Sequence, residues 1–115
     1  MLSGKYNDGD FPEGSRFSLY QHAPERQQRI LKRFVNERSI ESARRFQQIA
    51  ADLGMSVVTL AIAWSKQHDF VASTIVGATA PEQMPDILAA ADVVLDEATL
   101  KRIDAVSREL LYPMG

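Results

Sequence analysis

The stretch Ser73-Thr74-Ile75-Val76-Gly77-Ala78-Thr79, which is followed closely by Pro81, decides the fold prediction for this chain. The segment of residues 70–76 is short, mostly apolar and partly β-branched, and it is followed by a glycine. This pattern is typical of one buried β-strand. Proline suits the first turn of a helix. We therefore predict a strand, a glycine turn and the start of a helix in direct succession.

The glycine turn is a candidate anion site. Backbone N–H groups of Gly77, Ala78 and Thr79, and of the first helical turn after them, are predicted to point at one spot. Glycine allows a phosphate to approach the backbone closely, and the Thr79 hydroxyl is able to donate to a phosphate or to cap the helix. An ordinary tight turn with a threonine cap is the alternative, because short glycine motifs also occur by chance.

The rest of the chain is predicted to be a loop followed by helices. Residues 1–24 are rich in Gly, Asp, Asn, Ser and Pro and show no periodicity, which indicates a long loop. Apolar residues three or four apart predict helices elsewhere. Five helices are predicted. The first begins near Pro24, the second covers residues 39–53 with Gly54 as its C-cap, and the third runs from Val57 to Gln67 after a Ser56 N-cap. The fourth runs from Pro81 to about Ala91, and the fifth follows an Asp96 N-cap.

A single strand leaves the prediction incomplete. Buried backbone amides without partners cost roughly 1 to 3 kcal/mol each, and one strand cannot supply its own sheet. Either the chain pairs with copies of itself, or it is the C-terminal piece of a larger α/β protein. We favour the larger protein.

Composition excludes several classes of function. The 115 residues are 45% hydrophobic and 24% charged, as in one ordinary globular domain. A formal net charge of −2 gives no reason to expect nucleic acid or an anionic membrane as a partner. The absence of cysteine excludes disulfides and thiolate metal sites, and we expect no metal ion. With no apolar run of about 18 residues and no signal peptide, a cytoplasmic protein is expected.

Three motifs, in the same order along the chain, resemble the C-terminal part of the aldo-keto reductases. Leu2-Ser3-Gly4-Lys5-Tyr6 is similar to the family's segment after strand seven, and Ala61-Ile62-Ala63-Trp64 is similar to its Leu-Ala-Trp helix. The stretch from Ser73 to Gln83 resembles strand eight and the helix that follows it. The resemblance implies a C-terminal fragment of a (β/α)8 TIM barrel, an α/β fold, that is mostly helical with one clear strand.

The resemblance also implies a division of the chain within that barrel. Residues 1–24 would be a loop on the cofactor side, residues 25–69 helices, residues 70–76 the last barrel strand, and residues 77–115 the phosphate turn and C-terminal helices. Phosphates bind at the loops after strands seven and eight of such barrels, and these are the loops present here.

The same resemblance assigns candidate cofactor-binding residues, with NADPH as the implied cofactor. Lys5 matches a lysine that contacts the pyrophosphate, and Arg16 resembles an arginine near the adenosine 2′-phosphate, to which its fork of donors is suited. The 2′-phosphate turn is matched by Gly77, Ala78 and Thr79, with Gln83 packed beside that phosphate. Asp86 stands where the family has a glutamate that reaches the adenine. Ile87 departs from the family's asparagine, so adenine recognition is weakened or differently arranged.

The catalytic residues of the family have no match in this chain. Aldo-keto reductases use NADPH to reduce an aldehyde or ketone through a tetrad of Asp, Tyr, Lys and His from the first half of the barrel. A (β/α)8 barrel needs roughly 250 residues, and fewer than half are here. We therefore expect an oxidoreductase fragment that binds NADP(H) but is inactive alone, with a carbonyl compound as the substrate of the full-length protein.

Three alternatives stay open. Residues 50–60 have the small residues and turn glycine of a helix-turn-helix DNA-binding module, although the helix from Val57 to Trp64 shows almost no polar side chains for base edges. A non-catalytic aldo-keto-reductase-like subunit of a channel or another assembly would bind the cofactor without turnover. Self-association of the isolated fragment would cover its strand.

Overall fold

The computed structural model describes residues 5–6 and 10–114, and every secondary-structure element in them is helical. The elements are α1 (Arg16–Tyr20), α2 (Glu25–Phe34), α3 (Glu37–Asp52), α4 (Val57–Lys66), a 3-10 helix (Pro81–Gln83), α5 (Met84–Ala89) and α6 (Glu97–Glu109). No single helix in this part of the chain is long and apolar enough to cross a membrane. The pair α3 and α4 passes that criterion by length and composition only, with a bend of 91° between the two helices.

The corner between α3 and α4 is fixed by local hydrogen bonds. Gly54 has φ +68°, its N–H donates to the Ala51 carbonyl at 3.0 Å, and the Met55 N–H donates to the Ala50 carbonyl at 3.0 Å. This pattern is a Schellman motif, for which glycine is the usual residue because its backbone adopts the left-handed conformation without a Cβ clash. The Ser56 hydroxyl then accepts the Thr59 N–H and caps α4. Both caps confirm the sequence prediction.

The main core lies between α3, α4 and α6. The buried apolar residues that pack together there are Ile49, Ala50, Val57, Leu60, Ala63, Leu95, Ile103 and Val106. The spacing of three or four residues along each helix places these side chains on one face, so the predicted amphipathic patterns of α3 and α6 are confirmed. On the other side α5 packs against α4.

A second cluster, of aromatic rings, holds the N-terminal part of the chain. Phe17 of α1 stacks on Phe34 of α2 with ring centroids 6.2 Å apart, and it lies 4.9 Å from the ring of Tyr6. The prediction that residues 1–24 form a loop without regular structure is wrong for α1. Ser15 caps that helix by accepting the Ser18 N–H, and burial of Phe17 gives five residues enough contact to stay helical.

The strand predicted over residues 70–76 is absent from the described part of the chain, and this corrects the fold prediction. Within residues 5–6 and 10–114 no element provides a neighbouring edge, so the backbone of this segment has no partner for a ladder. Ile75 is 97% exposed and Phe70 is 84% exposed, which is the reverse of a buried strand. The segment contacts α4 through the Thr74 hydroxyl, which donates to the Ser65 hydroxyl at 3.1 Å.

The helix predicted from Pro81 to about Ala91 is shorter and begins differently. Its first turn is the 3-10 helix, and only Met84–Ala89 are α-helical. A second proline, Pro85, removes another backbone donor from this turn, which limits regular α-helical hydrogen bonding at the start. The geometry after the glycine turn is therefore not that of a long helix N-terminus.

Candidate cofactor-binding turn

The turn after residue 76 is organised by one side chain, that of Gln83. Its Oε1 accepts the Thr79 N–H at 3.0 Å, and its Nε2 lies 3.3 Å from the Thr79 hydroxyl, to which it donates. This pair of bonds closes a small ring between the turn and the 3-10 helix. The structure thus brings together Thr79 and Gln83, two of the residues that the sequence assigns to the phosphate site.

The remaining donors of this turn face solvent. Gly77, Ala78 and Thr79 are exposed, and within the described residues the N–H groups of Gly77 and Ala78 donate to no protein acceptor. The Thr79 N–H, in contrast, is already bound by Gln83. An anion at this turn would therefore meet two free backbone donors and the Thr79 hydroxyl, which still has its own proton to donate because Gln83 is the donor in their contact.

Gly77 has no structural requirement for glycine. Its φ lies outside the left-handed region, and a Cβ built on it would meet no heavy atom within 4 Å. Neither the backbone conformation nor packing within the described chain explains this residue type. The open space over the peptide leaves room for close approach of an external group, such as an anion at the two free N–H groups.

Asp86 contacts the rest of the described chain through its backbone carbonyl and not through its carboxylate. The side chain is exposed, whereas the carbonyl oxygen accepts a hydrogen bond from the Thr59 hydroxyl at 2.8 Å. This bond ties α5, and with it the turn, to α4. The predicted contact of the Asp86 carboxylate with an adenine ring is not tested by these contacts.

Lys5 and Arg16 directly precede Tyr6 and Phe17, two buried members of the N-terminal aromatic cluster. The Lys5 amine lies 5.8 Å from the centre of the Tyr6 ring, and Arg16 is the exposed first residue of α1, directly after the Ser15 cap. No hydrogen bond or ion pair among the described residues joins either cation to the glycine turn. Burial of Tyr6 and Phe17 fixes the backbone beside each cation and leaves its charged end in solvent.

Among the described residues, the acids and bases with shifted pKa values are Asp52, Arg45 and the α6 cap Asp96, and none of them belongs to the glycine turn. The Arg102 guanidinium and the Gln48 amide lower the pKa of Asp52, and the hydrogen bonds that Arg45 donates to Glu41 and Glu109 raise the pKa of Arg45. All of these groups belong to the exposed surface of α3 and α6. They stabilise the helix pair and contribute no proton-transfer chemistry to the candidate site.

Sequence reasoning missed three side chains that bind residues 84–95, which are α5 and the loop after it and are called the α5 segment below. They are Thr59, Lys66 and Gln67, each of which bonds to the backbone between residues 86 and 95. The available signal was their spacing, because positions i, i+7 and i+8 share one face of a helix. Within the apolar run of α4, Thr59 is an isolated polar residue next to the core, and such residues are usually hydrogen-bonded.

The described residues form a helical assembly with an exposed glycine turn after residue 76, and this turn is the candidate phosphate site. The sequence profile of the aldo/keto reductase family matches residues 2–108, so the chain belongs to that family. This confirms the resemblance carried by the three motifs.

Named relatives agree with the family. A protein of Schizosaccharomyces pombe whose name assigns it as a voltage-gated potassium channel subunit beta is 34% identical over 108 residues, which are 92% of this chain and 30% of the relative. A similarly named protein of Oryza sativa is 33% identical over 108 residues, with 92% and 31% coverage. Protein tas of Escherichia coli is 30% identical over 112 residues, with 97% and 30% coverage. The chain thus spans about 30% of the length of these relatives.

Two findings oppose the helix-turn-helix alternative. The 91° corner of α3 and α4 has the expected shape, but Val57, Thr59, Leu60 and Ala63 of α4 are buried against neighbouring helices. A recognition helix needs an exposed polar face to enter the major groove. Both helices lie within the residues that match the aldo/keto reductase family, so the pair does not need a DNA-binding explanation.

Proposed function

We propose that this chain is the C-terminal cofactor-binding portion of an NADPH-dependent aldo-keto reductase and holds the adenosine 2′-phosphate half of the cofactor site. The observation that carries the proposal is the exposed turn at Gly77, where two free N–H groups and the Thr79 hydroxyl surround an open glycine. Family membership supports the cofactor class. NADPH, when bound, supplies a hydride for the reduction of an aldehyde or ketone.

The residues of this chain would serve the cofactor in separate ways. Backbone donors at Gly77 and Ala78 and the Thr79 hydroxyl would bind the 2′-phosphate, while Gln83 keeps the turn in shape. Arg16 would add a bidentate charge-assisted contact, for which a guanidinium is suited. Lys5 would face the pyrophosphate as a point charge.

In this proposal, residues 70–76 form the last strand of a (β/α)8 barrel. The other strands belong to the part of the full-length protein that corresponds to the length of the relatives beyond the about 30% that this chain covers. The exposed apolar side chains of residues 70–76 would then be covered, and the backbone of this segment would have neighbours on both edges. The chain by itself lacks the catalytic tetrad in this reading, so it is expected to bind cofactor without reducing a carbonyl compound.

A non-catalytic subunit is a second candidate, and the names of two relatives favour it. Both are named as potassium channel beta subunits, and both match more than nine tenths of this chain. The two candidates share the proposed cofactor turn and differ in carbonyl turnover. Oxidation of NADPH by an aldehyde panel in a full-length protein that contains this chain would support the reductase, and its absence would support the subunit.

The direct test measures the affinity of the 115-residue chain for adenosine 2′,5′-bisphosphate and for adenosine 5′-monophosphate by calorimetry. We expect a preference for the bisphosphate. We expect Arg16→Ala and Thr79→Ala each to weaken bisphosphate binding about tenfold or more, since hydrogen bonds to charged groups contribute about 1.5 to 3 kcal/mol. The affinity for the monophosphate should not change.

Arg26→Ala is the matched control, because it removes an exposed arginine from α2 and changes the net charge equally. It should leave the bisphosphate affinity close to that of the unaltered chain. Equal binding of the two nucleotides by the unaltered chain, or an equal effect of Arg16→Ala and Arg26→Ala, would contradict the assigned site.

A further inference from the structure

Helix α4 holds the backbone of the α5 segment with three side chains. The Thr59 hydroxyl donates to the Asp86 carbonyl, and the Lys66 amine donates to the Ala91 carbonyl at 2.8 Å. The Gln67 amide both donates to the Leu95 carbonyl at 2.8 Å and accepts the Leu95 N–H at 2.7 Å. These contacts follow one face of α4 from its first turn to its end, and Thr59 binds the position that is closest in sequence to the glycine turn.

The Thr59 hydroxyl is fully committed to this contact. Thr59 is 3% exposed, and its one hydroxyl proton goes to the Asp86 carbonyl. Its oxygen also lies 3.0 Å from the Ser56 hydroxyl, so Ser56 must be the donor between the two hydroxyls. The result is a directed chain from the Ser56 hydroxyl through Thr59 to the Asp86 carbonyl, and such chains strengthen each of their bonds.

The Asp86 carbonyl needs this donor because α5 is short. The N–H of Ala90, which would reach residue 86 in a longer helix, donates instead to the Ile87 carbonyl at 3.3 Å. Asp86 is therefore among the last carbonyls of a six-residue helix, and these have no intrahelical partner. The Thr59 hydroxyl satisfies it from the neighbouring helix.

The packing of α5 against α4 uses few side chains: Ile87 is half-buried, and Ala90, directly after the helix, is buried. None of the residues of α5 or of the 3-10 helix is buried. The 3-10 helix continues into α5, and Gln83 within it holds Thr79 through two hydrogen bonds. A displacement of α5 would thus be carried by Gln83 to the donors of the glycine turn.

We propose that Thr59 is a positioning residue for the phosphate turn, acting through the Asp86 carbonyl and Gln83 without touching the ligand. This inference rests on the proposed function for its ligand, the 2′-phosphate of an adenine nucleotide. The coupling between Thr59 and the turn is a separate claim about the free chain, and it has its own readout.

The experiment compares Thr59→Val, which has nearly the same shape without the hydroxyl, with Thr59→Ser, which keeps the hydroxyl. Thr99→Val is the matched control, because Thr99 is 4% exposed and lies in the first turn of α6, away from α5. Two quantities are measured in the 115-residue chain: amide hydrogen exchange of residues 79–86, and affinity for adenosine 2′,5′-bisphosphate against adenosine 5′-monophosphate.

We expect Thr59→Val to speed amide exchange at Thr79 and to weaken bisphosphate binding about fivefold to tenfold, the change that corresponds to one net hydrogen bond. Binding of the monophosphate should stay unchanged, and Thr59→Ser should restore both quantities. If Thr59→Val does not fold, as judged by circular dichroism, Thr59→Ala takes its place in the same comparison.

The two proposals fail in different ways. If the unaltered chain shows no preference for the bisphosphate, the proposed function is wrong. Amide exchange would then still test whether Thr59 positions the turn in the free chain. Exchange at residues 79–83 that is the same in Thr59→Val and Thr99→Val would overturn the positioning role. Loss of bisphosphate binding in Thr59→Ser as large as in Thr59→Val would also overturn it, because the hydroxyl would not be the cause.

Discussion

Gly77 differs from the other described glycines because no structural reason requires a glycine at its position. Two other glycines in the described chain, Gly14 and Gly54, have φ of +73° and +68°, so their backbone conformation favours glycine. Gly77 has neither a left-handed backbone nor a neighbour that a Cβ would meet. Its residue type therefore has an explanation only if something outside the described chain approaches it.

Replacing Gly77 with alanine should affect binding and stability in opposite directions. Alanine at a compatible position stabilises a chain by about 0.4 to 1 kcal/mol, because it reduces the freedom of the unfolded state. The added methyl group should obstruct a phosphate at the Gly77 peptide and weaken adenosine 2′,5′-bisphosphate binding about tenfold, as expected from loss of a hydrogen bond to a charged group. Urea unfolding and calorimetry check the two effects.

Gly54→Ala provides the matched comparison for that experiment. Its positive φ requires a left-handed conformation that alanine adopts at a cost of about 1 to 2 kcal/mol, so this variant should lose stability. Bisphosphate binding by the folded fraction should remain. A loss of stability in Gly77→Ala like that of Gly54→Ala would show that glycine at residue 77 has a structural role after all.

Helices whose ends are capped by their own residues were predictable from the sequence, and those fixed by distant contacts were not. Ser56 and Asp96 cap α4 and α6 through bonds to residues three positions later, and Gly54 ends α3. The strand at residues 70–76 failed because a strand needs a neighbour that the described chain does not supply. At the turn, the Thr79–Gln83 pair follows from a local spacing of four residues, whereas the contact of Thr59 with Asp86 joins residues 27 apart.

The α6 cap makes a prediction about pH. The Thr99 hydroxyl and the Thr99 N–H donate to the Asp96 carboxylate and lower its pKa. Because the pKa is lower in the folded state, the stabilisation is complete above the ordinary pKa of an aspartic acid. It is lost as the pH falls through that ordinary value and then through the lowered one.

Asp96→Asn keeps an oxygen acceptor for the cap but removes the titrating charge. We expect the unaltered chain to be more stable than Asp96→Asn at neutral pH, and the difference to vanish in acid. Urea midpoints over the acid range measure it, and Asp92→Asn controls for loss of one exposed negative charge. The lowered pKa of Asp52 acts equally in both proteins and cancels in the comparison. A difference between them that stays constant with pH would contradict the assignment.

At the scale of the whole molecule, the helical core and the segment of residues 70–76 have different degrees of burial. Three helices enclose the core residues, whereas Phe70, Ile75 and Val76 are 84%, 97% and 46% exposed. The chain spans about 30% of the length of its relatives, and Phe70 and Ile75 are largely uncovered within the described residues. An exposed, apolar and partly β-branched segment favours association with another chain.

We therefore expect the isolated chain to self-associate at micromolar concentration through residues 70–76. Ile75→Lys should shift it toward monomer, because a lysine on an unpaired edge opposes strand pairing and costs solvation when covered. Val94→Lys is the control, since Val94 is 80% exposed but lies outside the segment, and it should leave the association unchanged. Light scattering measures the mass of all three proteins. A compact monomer formed by the unaltered chain, or equal effects of the two lysines, would remove residues 70–76 as the cause of association.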